Sequence, residues 1–203
     1  AVWPVAVGLG LRGLGLPSIV LGRMTDLGLV SVLPISTFAA IAILVASAGF
    51  QIQRHPLDGR IVAVCLVALV FVLYGTASIV ETVARTSTTW THFGLTEYIE
   101  RTGTTAPNLE ARMDWPGVFV GAAFVGSMVG DNALTIIANW FPVIINLLCL
   151  LPLFVISRGL THDDRLVWAS LLLFVITNWI GQDYFSPQAM GYFIYLAIVA
   201  VIV

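Results

Sequence analysis

Apolar residues in this chain gather into long runs, and short polar stretches interrupt them. The runs at 27–50, 61–80, 132–157, 166–181 and 189–203 approach or reach the roughly 20 residues needed to cross a bilayer as a helix. Each is therefore predicted to be a membrane span. Asp26 is expected to cap the first, with Pro34 bending it. Pro142 and Pro152 should kink the third, behind an N-cap at Asp131. Residues 1–26 resist assignment, because Gly8, Gly10, Arg12, Gly13, Gly15 and Pro17 break up their apolar character.

The outer loop 81–131, whose stretch from Glu81 to Asp114 is the longest polar segment, carries two shorter patterns. Residues 91–102 place Leu95, Tyr98 and Ile99 on one face, and Gly103 acts as a stop, which predicts an amphipathic helix. Residues 116–129 are apolar but short, and Asp114-Trp115-Pro116-Gly117 opens them. Sidedness decides how to place this second element. If 116–129 crossed the membrane, the Arg-bearing turns at 51–60 and 157–165 would fall on opposite sides. Both turns fall on the cytoplasmic side if the segment lies at the interface. The expected fold is all-α: a polytopic helical membrane protein with interfacial helices in its first long extracytoplasmic loop. The chain reads as one transmembrane module. It opens without Met and stops at Val203 inside an apolar run, as a piece of a longer protein would.

Composition narrows the class. Of the 203 residues, 59% are hydrophobic and 10% are charged, against about 25% charged in ordinary soluble domains. Mean hydropathy is +0.97. All nine basic residues are Arg, and the net charge of −2 gives no reason to expect nucleic acid as a partner. Cys65 and Cys149 lie inside apolar runs and lack ligand spacing, so they read as packing residues. No cofactor and no cluster of metal ligands is evident.

The candidate chemistry sits in the two polar regions assigned to one membrane face. One is the island Gln182-Asp183-Tyr184-Phe185-Ser186-Pro187-Gln188, and the other is the loop 81–114. An ionisable group at such a place either caps a turn or works in a site. The strings WTHFGLTEYIERTG, DWPGVF and GQDYFSPQA, in this order along the spans, resemble the first module of the GT-C membrane glycosyltransferases, especially actinobacterial members. The resemblance covers roughly residues 61–203.

That resemblance implies transfer of a sugar from a polyprenyl-phosphate carrier to a glycan, lipid or protein acceptor outside the cytoplasmic membrane. The family's base is an acid in the first outer loop, but here the matching stretch is Thr89-Trp90-Thr91-His92. His92 and Asp183 are therefore the expected catalytic residues: an imidazole suits proton acceptance near neutral pH, and the carboxylate stands in the other outer segment. Arg85, Arg101 and Arg112 are candidates for holding the lipid phosphate, and Tyr184, Ser186 and Gln188 for contacting sugar. Each also has a plainer reading as a cap, an interfacial anchor or a turn residue. Asp114, Asp131, Glu81, Glu97 and Glu100 read mainly as structural. Two other classes stay open: a transporter or flippase fragment with Asp183 as a coupling group, and a structural membrane subunit.

Overall fold

The computed structural model describes residues 21–203 apart from 82, 107, 109 and 179–182. The sequence reading of 1–20, and of Trp179 and Gln182, falls outside these residues. Seven α-helices make up the described chain: α1 (Ile35–Gln53), α2 (Gly59–Val80), α3 (Ser87–Thr102), α4 (Gly117–Val129), α5 (Asp131–Leu160), α6 (Asp164–Thr177) and α7 (Pro187–Ile202). Among the described residues three segments are long and apolar enough to span a membrane: Ile35–Gln53, Gly59–Val80 and Leu134–Leu160. The protein is an all-α membrane protein. Its outward faces carry large apolar side chains such as Ile43, Val64, Phe71, Leu151, Leu173 and Ile198, as a lipid-facing surface requires.

Local chemistry sets the helix ends. The first helix was expected from about residue 27 with a bend at Pro34, but it starts at Ile35, and Pro34 occupies its N-cap in an extended conformation. Upstream, Gly28 has a left-handed φ of 67°. The Ser31 hydroxyl donates to Gly28 O (2.7 Å) and accepts from Thr25 N (3.0 Å). These bonds hold a local turn that competes with helix, and proline marks the boundary. Asp58 caps α2 by accepting from Arg60 N, Asp163 caps α6 from Arg165 N, and Ser186 caps α7 from Ala189 N. The amphipathic helix α3 starts at Ser87, ahead of the expected 91, and ends at left-handed Gly103. α5 begins at Asp131 itself, behind Gly130 at φ 85°.

α5 is the axis of the bundle. On one side Val143 packs with Ala48 and Ile52 of α1, Val62, Leu66, Leu69 and Val70 of α2, and Leu171 and Val175 of α6. On the other side Ala138, Phe141, Ile145 and Cys149 meet Phe185 together with Ala189 and Leu196 of α7. A smaller cluster of Ile99, Met113, Phe119 and Ala123 joins α3 to α4.

The polar connections collect at two ends. At one, the Arg165 guanidinium donates to Gln53 O (3.3 Å) and Arg54 O (3.4 Å) and touches His55, while Arg158 pairs with Asp164. The turns at 54–58 and 161–163 therefore lie side by side. At the other end the segments around Glu81, Arg85 and 183–186 meet. α6 has 14 residues and stops at Thr177, not at the expected 181. The Tyr74 hydroxyl meets both Val175 O and Asn178 O at 2.8 Å. Tyr74 lies six residues before the end of α2, about 9 Å along a helix. The end of α6, at Asn178, thus lies well inside the bundle rather than at its rim. A backbone carbonyl at that depth needs a donor, and the Tyr74 hydroxyl, with one hydrogen, can serve either of the two.

Candidate functional site

A cavity of about 220 Å³ opens between α2, α5, the start of α3 and the island. α2 contributes Tyr74 and Ser78, one turn apart, and Glu81 follows as its C-cap. Arg85 and Thr89 follow it, α5 adds Asn139 and Pro142, and the island adds Asp183 and Tyr184. Two bonds clamp the walls together: Ser78 Oγ donates to Asn139 O (2.6 Å), and Asn139 Nδ2 donates to Ser78 O (3.2 Å).

The charges are arranged unevenly. Arg85 is committed to Glu81, with Nε at 3.0 Å and Nη2 at 2.5 Å from Oε1. Asp183 has no salt-bridge partner among the described residues. Its Oδ2 accepts from Asn146 Nδ2 at 3.0 Å. Burial pushes the Asp183 carboxyl above the usual carboxylate range, while hydrogen bonds from its own backbone N–H and from Asn146 pull it down. This carboxylate therefore faces the cavity half-buried, held by neutral donors only.

His92 lies elsewhere. It is 1% exposed, and its Nδ1 is 2.9 Å from Phe185 O. A carbonyl only accepts, so Nδ1 carries the proton and the imidazole satisfies a backbone group of the island. The ring stacks on Tyr184, with centroids 5.9 Å apart and planes 10° apart, and tilts over Phe119 at 5.5 Å. His92 is not among the cavity-lining residues; it meets the segment carrying Asp183 through the Tyr184 ring and the Phe185 carbonyl. Tyr184 forms the wall between them.

The remaining candidates separate into two groups. Arg85 and Tyr184 line the cavity. Arg101 and Arg112 do not: both are exposed, and each lies 3.6 Å from its own loop acid, Glu97 and Glu110. Ser186 is buried and caps α7, whereas Gln188 is exposed in the first turn of α7. Among the described residues no three His, Cys, Asp or Glu side chains converge to hold a metal ion.

The sequence reading passed over Asn146, Asn139, Ser78 and Tyr74. Their signal was positional: Asn139 and Asn146 stand seven residues apart, on one face of the mainly apolar middle of α5, and Tyr74 and Ser78 are four apart on α2. On the far side of the island lies a second, apolar cavity of about 410 Å³, walled by Gly117, Gly121, Phe141, Phe185, Met190 and Ile194 among others. Three consecutive residues, 183–185, thus serve a polar cavity and an apolar one. Comparison with protein-family models, curated proteins and solved structures finds no match. Fold and site define an all-α membrane protein with a cavity lined by two carboxylates, Glu81 paired with Arg85 and Asp183 held by Asn146.

Proposed function

We propose that the chain is the transmembrane module of a GT-C-type glycosyltransferase of the cytoplasmic membrane. It moves a sugar from a polyprenyl-phosphate carrier to an extracytoplasmic acceptor. The observation that carries this reading is Asp183: a half-buried carboxylate without a cation, in a cavity lined by tyrosines, hydroxyl and amide groups. Such a group accepts a proton from an acceptor hydroxyl as the hydroxyl attacks the anomeric carbon, opposite the departing lipid phosphate. Arg85 is the loop arginine placed to meet that phosphate, and Glu81 holds it at the rim meanwhile. At about 220 Å³ the cavity is smaller than the roughly 300–1,000 Å³ of whole-ligand sites, so it takes the polar head of the donor alone. His92 acts in this scheme by fixing Tyr184 and Phe185.

One observation favours a second reading. α6 is short, and Asn178 at its end lies beside Tyr74, six residues inside the end of α2; a helix that ends at such depth is the arrangement transporters use at a coupling site. The two readings part in one experiment. Full-length protein in proteoliposomes is given radiolabelled polyprenyl-phosphate monosaccharides and a mixture of glycan acceptors. Transfer that falls at least about 100-fold in Asp183→Asn, the usual share of a general base, supports the enzyme. Undiminished transfer in that variant rejects the assignment, and solute uptake lost in the same variant, without any transfer, replaces the enzyme with a transporter.

A further inference from the structure

We infer that Asn146, in the middle of α5, is the positioning residue for Asp183: one amide hydrogen fixes the carboxylate in the cavity, and the rest of the amide is locked by the bundle. The inference rests on the reading of Asp183 as the working carboxylate. Asn146 is 1% exposed in a helix that is apolar from Phe141 to Ile156 apart from this one residue. Its Nδ2 donates to Pro142 O (2.8 Å) and to Asp183 Oδ2 (3.0 Å), and its Oδ1 accepts from Asn178 Nδ2 (2.5 Å).

The orientation of this amide does not depend on how its two ends are assigned. The Pro142 carbonyl can only accept, so the nitrogen must lie on that side, which also turns an N–H toward Asp183. Both amide hydrogens are then used, and the oxygen is held by the chain leaving α6. A polar residue that only tied helices together would need Asn178 alone. The extra hydrogen bond to Asp183 is what a positioning role requires. The titratable and charged side chains around the carboxylate are Tyr74 of α2, Glu81 and Arg85 at the rim, and Tyr184 beside it; α5 presents none to this cavity.

The test reads the Asp183 carboxylate directly. Full-length protein is treated with dicyclohexylcarbodiimide, which modifies protonated carboxyl groups, across a pH series, and labelling of Asp183 is measured by mass spectrometry. Asn146→Leu should move the labelling midpoint upward by about one pH unit or more, a roughly tenfold change in proton affinity, as expected when a hydrogen bond to the charged form is lost. Asn178→Leu, which removes the inter-helix bond but leaves the one to Asp183, should leave the midpoint in place. An unmoved midpoint in Asn146→Leu, or an equal shift in both variants, overturns the inference. If Asn146→Leu does not fold, Asn146→Gln, whose amide is displaced by one methylene, is read against the same two outcomes. Transfer assays on the same samples keep the two claims apart. A shifted midpoint with transfer intact in Asp183→Asn rejects the glycosyltransferase site and leaves the positioning role standing.

Discussion

The two ends of the bundle solve opposite problems. At the end formed by the turns 54–58 and 161–163, charge is spent on structure. Arg165 binds the carbonyls that close α1, Arg158 pairs with Asp164, and Asp58 and Asp163 cap the helices that follow them. At the cavity end, polar groups are kept partly unmet. Asp183 has no cation, and the Thr37 hydroxyl, 1% exposed, has no hydrogen-bond partner among the described residues. Burying a charge without a counter-charge destabilises a fold unless something else requires it there. Unsatisfied chemistry, rather than charge as such, distinguishes the cavity end among the described residues, and it is the end to which the proposed transfer is assigned.

The contrast predicts how substitutions divide. The largest effect is expected from Asp183→Asn, which should abolish transfer while leaving thermal stability unchanged or higher. Burial raises the Asp183 carboxyl, so its contribution to stability is fullest below the ordinary carboxylate value and is lost as pH rises through the raised one. Wild type should therefore lose stability relative to Asp183→Asn between acid and neutral pH. Parallel melting curves across that range, or a variant less stable at neutral pH, would make Asp183 a structural group and erase the contrast.

Next comes Gly59→Ala at the closed end. A Cβ there would stand 2.7 Å from the Trp168 ring, so melting should show a loss of about 1–3 kcal/mol, with the pH dependence of Asp183 labelling unchanged. Wild-type stability in this variant would mean that the closed end is looser than its packing implies. The smallest effect is Thr37→Val, which replaces an unpartnered hydroxyl with a methyl of similar shape. A gain of up to about 1 kcal/mol in unfolding stability is expected, and a loss would show that the hydroxyl is used.

Much of the architecture was legible in the sequence, because the signal for a membrane helix is a run of apolar residues and needs no knowledge of neighbours. The all-α class and the runs that became α1, α2 and α5 follow from that alone. Helix boundaries needed local detail: Pro34 sits as readily at a helix start as at a bend, and the bonds around Ser31 decided between them. The depth of the island was not legible. QDYFSPQ reads as a surface turn until Tyr74, from a helix about a hundred residues earlier, is seen holding the carbonyls of Val175 and Asn178. Asn146 was hidden for a related reason, since a lone amide in an apolar run shows no pattern until its partners arrive from other segments. His92 stood out as chemistry, yet the structure gives it a backbone carbonyl to satisfy.

The shortness of α6 reaches beyond the finished fold to how the chain enters the membrane. Fourteen residues rise about 21 Å, less than the roughly 30 Å of a hydrocarbon core, and the helix leads directly to Asn178 and, further on, Asp183. Such a segment is a poor substrate for insertion by itself. Its end is contacted by Tyr74 and Asn146, on α2 and α5, which are synthesised before it. A sidedness reporter fused beyond α7 should keep its orientation in the native chain and lose it when Tyr74 and Asn146 are both replaced by Leu. If that orientation is unchanged, α6 inserts without help from the helices made before it.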